Sequence, residues 1–168
     1  MNQATDAMLS ELREEAVTTK RVLERVPPDK LSWRPHAKSM SLGQLALHVA
    51  SIPGNLIRLV QLDEFDASQA NFNPPEPNGL NEIYATLEQS VRSAEEYLTS
   101  ITEKVASANW RLAMRGKELF SRPRIAVLRS IMLNHWYHHR GQLSVYLRLL
   151  DVPVPVIYGR RADKNLFG

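Results

Sequence analysis

Apolar residues recur every three or four positions in four separate segments of the chain, and this spacing predicts four amphipathic helices. The segments cover residues 5–26, 41–62, 81–101 and 121–151. No other run of residues alternates between apolar and polar in the manner of a strand. We therefore predict an all-α fold, a four-helix bundle with long crossover connections, in which residues 1–168 form a single domain.

Capping residues and prolines indicate where the helices begin and end. Thr5 or Asp6 can cap the first helix, and the proline pair at 27–28 ends it, because proline lacks an amide donor and disfavours helical angles in the preceding residue. Ser41 and Gln44 have the spacing of a capping box, so the second helix is predicted to begin there.

The remaining segments are predicted to be irregular. Residues 63–80 are rich in proline and asparagine and predict a loop, while residues 102–120 predict a connection that can include a short helical turn. Ser121-Arg122-Pro123 opens the fourth helix, with proline near the first turn. Prolines after residue 151 end that helix, and the tail is expected to pack across the bundle.

The sequence contains no cysteine, which excludes disulfides, thiolate metal sites, iron–sulfur clusters and cysteine nucleophiles. Any metal ion must therefore be held by histidine or oxygen ligands. No secretory signal and no apolar run of about 18 residues are present, so we expect a cytoplasmic protein without membrane contact. The absence of a glycine-rich phosphate loop disfavours a nucleotide-dependent enzyme.

The net charge is weakly positive, with 21 Lys and Arg residues against 18 Asp and Glu residues. An excess of three charges spread over this length does not form a basic face, so nucleic-acid binding is disfavoured. The densest basic clusters are interpreted as solvated ends, and they are Arg122 with Arg124 and Arg129, and Arg160 with Arg161 and Lys164.

Three histidines fall on the inward faces of two predicted helices. His135 and His139 are four residues apart, so their imidazoles lie one turn above each other and can converge on one ion. His48 lies between Leu45 and Ile52 on the apolar face of the second helix. Three buried imidazoles without partners would cost about 1–3 kcal/mol each, whereas shared coordination satisfies all three. The sequence therefore predicts one divalent transition-metal ion bound by His48, His135 and His139.

Hydrogen-bonded core histidines are the alternative interpretation, because a single histidine on an apolar face is more often a core residue than a ligand. His138 is about 100° round the helix from His139 and is predicted to lie at the surface or to contact a ligand without binding the ion. His36 lies in a proline-flanked loop and is predicted not to bind the ion.

Three neighbours of the histidine pair carry further expectations. Gln142 is the candidate catalytic residue, orienting water or a substrate carbonyl, with a buried amide bonded to a neighbouring helix as the alternative. Arg140 is the candidate substrate-binding residue for an anionic group, with a structural ion pair as the alternative. Gly141 costs a helix about 1 kcal/mol relative to alanine, which predicts close helix packing at that position.

Two segments resemble the signature regions of the DinB-like (DinB/YfiT) family of metal-dependent proteins, namely SLGQLALHVA at 41–50 and NHWYHHRGQL at 134–143. Segments around Trp33-Arg34-Pro35 and from Val152 to Asp163 are also similar, although Arg160, Arg161 and Lys164 depart from the pattern. The resemblance implies a four-helix bundle that binds zinc, nickel or a related ion through three histidines. Position by position, these ligands fall on His48, His135 and His139.

The resemblance also implies a range of functions, because the family includes transferases that use bacillithiol or mycothiol, an isomerase of maleylpyruvate type, and many members without a known activity. Three histidine ligands leave a coordination position for water or substrate. A metal-dependent hydrolase or thiol-dependent S-transferase acting on a small molecule, with a low-molecular-weight thiol as one candidate, is the first hypothesis.

The alternatives are a non-catalytic metal-binding or sensing module and, less favoured, a DNA-damage-related nucleic-acid binder. Zn²⁺ or Ni²⁺ is the favoured ion, and Fe²⁺, Mn²⁺ or Cu²⁺ are the other candidates. A homodimer is compatible with the resemblance.

Overall fold

The computed structural model describes residues 3–71, 73–159 and 162–163. Most of these residues are helical, and the helices are α1 (Gln3–Leu23), α2 (Leu42–Val60), α3 (Leu80–Ser100), α4 (Glu103–Ser107), α5 (Arg124–Val127) and α6 (Asn134–Leu149). A π-helical segment, Leu128–Leu133, joins α5 to α6. The strands are β1 (Glu64–Asp66), β2 (Asn109–Met114) and β3 (Lys117–Pro123), and single 3-10 turns lie at Pro28–Lys30 and Ala67–Gln69.

The three-stranded sheet corrects the predicted all-α fold. β1 pairs in parallel with β2, and β2 pairs with β3 in antiparallel orientation. β2 and most of β3 lie in the connection predicted at 102–120, whose short helical turn is α4, and β1 is the one described strand in the loop predicted at 63–80. No alternation marks them in the sequence, because β1 has only three residues and β3 is exposed along nearly its whole length. The fold is mostly helical with a small sheet.

The first two helices differ in how well their starts were predicted. Thr5 and Asp6 lie inside α1 rather than capping it, and Thr5 is buried. Before α2, the Ser41 hydroxyl accepts a hydrogen bond from the Gln44 amide at 3.0 Å, and the Ser41 amide donates to Gln44 Oε1 at 2.9 Å. This capping box fixes the start of the helix whose second turn carries His48.

The last helical stretch begins at Arg124 rather than Ser121, because residues 121–123 belong to β3. Arg124 is not a solvated end, since it is only 5% exposed. Its guanidinium donates to the Val60 carbonyl at 2.9 Å and pairs with the Asp63 carboxylate at 2.5 Å. Arg124 therefore connects the C-terminus of α2, where carbonyls lack helical donors, to the start of the last helical stretch.

The segment after α6 packs on the helices as far as it is described. Val152, Val154 and Ile157 contact the hydrophobic core. Arg122 and Arg129 are exposed, as predicted for solvated ends. The basic cluster at Arg160, Arg161 and Lys164 lies outside the described residues.

The long helices surround one hydrophobic core and bring the signature segments together. α3 packs against α1 and α2, and α6 packs against α2 and α1. The core includes Leu12, Leu45, Ile52, Leu98 and Trp136, none more than 1% exposed. α2 and α6 run antiparallel, because Trp136 bonds to Val49 in α2, whereas Tyr146, later on α6, bonds to Met40 just before α2. In the ranges given above, no helix is long and apolar enough to cross a membrane.

Candidate metal centre

His48 on α2 and the pair His135 and His139 on α6 meet where these two helices pack together. One nitrogen from each of the three rings lies within 4.8 Å of the other two. His48 Nε2 and His135 Nε2 are 3.2 Å apart. The His139 ring centroid is 4.5 Å from that of His48 and 4.3 Å from that of His135. Three imidazoles this close form a group that can bind a metal ion.

The backbone before the histidine pair is irregular. The Asn134 amide donates to the Arg129 carbonyl five residues earlier, which is the bonding pattern of a π-helix, and the Arg129 guanidinium donates to Asn134 Oδ1 at 2.9 Å. Regular α-helix resumes at Asn134, so His135 and His139 lie one turn apart on the face towards α2. Such π-helical segments occur frequently at functional sites.

The three rings are partly buried, and their surroundings disfavour protonation. Burial, followed by the neighbouring rings of His139 and His135, lowers the pKa of His48 to about 4. Burial, followed by His139 and His138, lowers the pKa of His135 to about 4. Burial also lowers the pKa of His139, although the hydrogen bond to Gln142 opposes the change. The neutral form, which metal binding requires, is therefore favoured at pH 7 in all three rings.

The alternative interpretation of Gln142 as a buried amide is wrong, and its predicted role in orienting water or a substrate carbonyl stays a prediction. Its side chain is exposed, and Oε1 lies 2.7 Å from Nδ1 of His139, one turn earlier on α6. The ring N–H is the donor to this carbonyl oxygen, which leaves Nε2 of His139 unprotonated and available to an ion. Gln142 therefore orients a ligand ring, and it does not bond to a neighbouring helix.

Arg140 is buried among α1, α6 and Tyr158, and its role as a substrate-binding residue stays a prediction. It is 1% exposed, and its guanidinium pairs with the Glu15 carboxylate at 2.6 Å and donates to Thr19 Oγ1 at 3.0 Å on α1. It also donates to the Tyr158 hydroxyl. The structural ion pair, which was the alternative interpretation, is the one observed.

The remaining neighbours of the ligands have mixed outcomes. His138 is exposed, and its ring centroid lies 4.9 Å from that of His139, outside the three-histidine group. His36 is exposed, and its Nδ1 accepts a hydrogen bond from the Lys38 amide at 3.1 Å. The predicted close packing at Gly141 is wrong for the described part of the chain, where a methyl group at this position would meet no atom beyond its own helix within 4 Å.

The donor set fits a divalent transition-metal ion. Neutral imidazoles suit Zn²⁺, Ni²⁺, Fe²⁺ and Cu²⁺, and three of them on two helices leave room for an exogenous ligand. Among the residues that the structure describes, no carboxylate joins the group. A closed structural zinc site would carry a fourth protein ligand.

Comparison with known proteins identifies the family. A model of the DinB family matches residues 1–165. The chain belongs to the DinB family. Uncharacterized protein YrdA of Bacillus subtilis strain 168 is 26% identical to this DinB-family chain over 160 residues, which is 95% of this chain and 90% of YrdA.

Solved structures support the same fold. A DinB-like protein from Bacillus cereus ATCC 10987 is 21% identical, with a TM-score of 0.70 over 91% of this chain and 97% of that protein. The DinB-like protein YjoA from Bacillus subtilis is 20% identical, with a TM-score of 0.68 over 95% of this chain and all of YjoA. At this level of identity the likeness shows the fold, and the site must be argued from the residues of this chain.

Proposed function

We propose that this DinB-family protein binds one divalent transition-metal ion through His48, His135 and His139 and uses it as a metal-dependent enzyme. A hydrolase or a thiol-dependent S-transferase is the reaction class that the site supports best. The observation that carries this proposal is the convergence of three neutral imidazoles without a carboxylate in the group. Such a site leaves a coordination position for water or substrate.

The chain's own residues prepare the site for an ion and a substrate. When bound, a divalent ion supplies Lewis-acid chemistry that polarises a carbonyl or promotes ionisation of water or a thiol. Partial burial keeps His48 and His135 neutral, and Gln142 holds the tautomer of His139 that presents Nε2. The rings are not sealed from solvent, since all three are only partly buried, so a small molecule can reach them.

The finer assignments belong to the same proposal. We propose Zn²⁺ or Ni²⁺ as the native ion, a low-molecular-weight thiol as one candidate substrate, a cytoplasmic location and a homodimeric state. The packing of the long helices supports the description of the fold as a four-helix bundle with crossover connections. Nucleic acid is not proposed as a partner, because Arg124 of the described basic cluster is buried and already paired.

A non-catalytic metal-binding module is the second candidate function, and one observation favours it. Two of the larger grooves in the described part of the chain, of about 420 and 410 Å³, lie between α2 and α3 and between α1 and α3. Neither groove is lined by the three histidines. That these two grooves lie away from the three histidines is consistent with a role of the ion in stabilisation or sensing.

Elemental analysis of protein purified without added metal tests the site. We expect about one ion per chain in the wild type and in His138→Ala, whose ring is adjacent but outside the group, and a strong loss in His48→Ala and His139→Ala. Equal metal in all four proteins would contradict the proposal. Metal-loaded and metal-free wild type are then assayed for ester and amide hydrolysis and for consumption of low-molecular-weight thiols. Metal-dependent turnover supports the enzyme, and its absence with full metal content supports the module.

A further inference from the structure

We infer that Trp136 positions the metal ligands by making the hydrogen bond that Pro53 cannot make. This inference rests on the proposed function, because it concerns the geometry of the same three histidines. Pro53 lies inside α2, and proline has no amide hydrogen. The carbonyl four residues earlier, that of Val49, therefore lacks its regular helical donor.

The indole of Trp136 occupies the place of that donor. Its Nε1–H donates to the Val49 carbonyl at 2.8 Å, and both residues are fully buried. Both residues exclude water from this carbonyl, so without the indole it would remain an unpaired buried acceptor. Pro53 thus creates an acceptor in α2, and Trp136 on α6 satisfies it.

The bond lies beside two of the ligands. Val49 directly follows His48, and Trp136 directly follows His135. A side chain adjacent to one ligand is therefore fixed to a backbone atom adjacent to another, at the place where His48 Nε2 and His135 Nε2 are 3.2 Å apart. A slide of one helix by a single residue would move these nitrogens by about 1.5 Å and remove the indole from its acceptor.

A second contact holds α2 next to Pro53, where the helix lacks one of its hydrogen bonds. The amide of Gly54, the residue after Pro53, donates to Ser90 Oγ on α3 at 2.7 Å. A Cβ on Gly54 would lie only 3.0 Å from the Ser90 Cα, so the two helices touch here. The contact with α3 holds α2 in place at Gly54, one residue after Pro53. The Trp136 hydrogen bond then sets the position of α6 relative to α2.

A second tryptophan provides a matched control. Trp110 is 2% exposed, and its Nε1–H donates to the Leu59 carbonyl of α2 at 3.1 Å. Leu59 lies eleven residues beyond His48, which is about 16 Å along the helix. Trp110 therefore also makes an indole–carbonyl bond to α2, partly rather than fully buried and away from the histidines.

The experiment measures Co²⁺ binding and the visible absorption of the Co²⁺-loaded protein in Trp136→Phe, Trp110→Phe and Pro53→Ala variants. We expect Trp136→Phe to weaken Co²⁺ binding about tenfold or more, the usual effect of losing a group that supports a ligand, and to shift the Co²⁺ bands. Trp110→Phe is expected to lower the melting temperature and to leave Co²⁺ affinity and the bands unchanged.

Rescue separates the hydrogen bond from packing. In the Trp136→Phe, Pro53→Ala double variant the new amide of residue 53 can donate to the Val49 carbonyl, so affinity and bands should return towards those of Pro53→Ala alone. The same change should not rescue the stability of Trp110→Phe. Should Trp136→Phe fail to fold, the double variant is compared directly with Pro53→Ala.

Unchanged Co²⁺ binding in Trp136→Phe would overturn the inference, as would a double variant that binds Co²⁺ ten times more weakly than Pro53→Ala. Equal losses in Trp136→Phe and Trp110→Phe would also overturn it. If the wild type bound no Co²⁺, the proposed function itself would fail and this inference with it. If the wild type bound Co²⁺ and Trp136→Phe bound it equally well, only the positioning role of Trp136 would be refuted, and the proposed metal site would stand.

Discussion

Gln142 Oε1 lies 2.7 Å from His139 Nδ1, across one turn of α6. This contact determines which nitrogen of neutral His139 is left unprotonated, because the nitrogen that donates to a carbonyl oxygen must carry the proton. The exposed amide of Gln142 therefore acts on the candidate metal centre through a ligand and has no need to touch the ion.

Gln142→Leu should consequently weaken metal binding by about 10- to 100-fold, the typical loss when the hydrogen-bond partner of a ligand histidine is removed. Gln142→Glu keeps an acceptor and should retain most of the affinity. Competition titration of Zn²⁺ against a chromophoric chelator measures both. Val145→Ala, an exposed change on the same helix, is the control. Equal affinity in Gln142→Leu and wild type would refute the role of this contact.

The depressed pKa values of His48 and His135 predict a loss of stability in mild acid. In the unfolded chain both histidines titrate near the ordinary 6.5, whereas their pKa in the metal-free folded protein is about 4. Between these values the unfolded chain binds more protons, so the free energy of unfolding falls as the pH falls from about 6.5 to about 4 and levels off below.

The His48→Gln, His135→Gln double variant should lose less stability across that window, because its side chains do not titrate there. Urea unfolding in the presence of a chelator at pH 7, 6, 5 and 4.5 compares the two proteins, and carboxylate titration is common to both. If the free energy of unfolding changed with pH in the same way in both proteins, protonation of the two histidines would not destabilise the fold.

The buried ion pair between Arg140 and Glu15 predicts a large and purely structural effect. Their side chains are 1% and 14% exposed, whereas those of Arg13 and Glu95 are 59% and 32% exposed. Arg140→Met leaves the partly buried Glu15 carboxylate with only the Tyr158 hydroxyl as a partner and should lower the free energy of unfolding by about 3 kcal/mol, the lower end for a broken buried pair. Arg13→Met should lower it by no more than about 1 kcal/mol.

Urea unfolding of the two arginine variants gives this comparison. The metal content of folded Arg140→Met should equal that of the wild type, since the guanidinium faces α1 and Tyr158 rather than the ion. A loss of stability no greater than in Arg13→Met would contradict the burial argument. Loss of metal from a stably folded Arg140→Met would instead restore a role for Arg140 in the site.

The helices and the three-histidine group could be predicted from the sequence because both depend on one period. A spacing of three and four residues places Leu45, His48 and Ile52 on one face, and the same period places His135 and His139 together. This argument needs no knowledge of which helices are neighbours. The side-chain partners, by contrast, depend on packing between helices, so the sequence allowed an ion pair for Arg140 without revealing Glu15 as its partner.

The sheet and the helix irregularities could not be predicted in this way. β1 pairs with β2 across more than forty residues of sequence, and its three residues are too few to show a period. The π-helical segment at Leu128–Leu133 has no proline or glycine to mark it. Pro53 did carry a signal, since it leaves the Val49 carbonyl free, but only the packing of α6 on α2 reveals Trp136 as the donor.

Two glycines inside helices predict opposite effects of the same substitution. An alanine methyl at position 54 would lie 3.0 Å from the Ser90 Cα and 3.3 Å from its Cβ, and backbone cannot move aside as a flexible side chain can. Gly54→Ala should therefore lower the free energy of unfolding by about 1–3 kcal/mol through overpacking, despite the better helix propensity of alanine. Among the described residues, a methyl at position 141 meets nothing within 4 Å, so Gly141→Ala should raise the free energy of unfolding by about 0.5–1 kcal/mol.

Thermal and urea unfolding of the two glycine variants measures these signs directly, and each variant serves as the control for the other. Because propensity favours alanine at both positions, the difference between them isolates the contact of α2 with α3 at Ser90. Stabilisation by Gly54→Ala would mean that α2 and α3 can move apart at Ser90 without a loss of stability. In that case α3 would not hold α2 in place while Trp136 sets the position of α6. Destabilisation by Gly141→Ala would restore the predicted close packing beside the histidines.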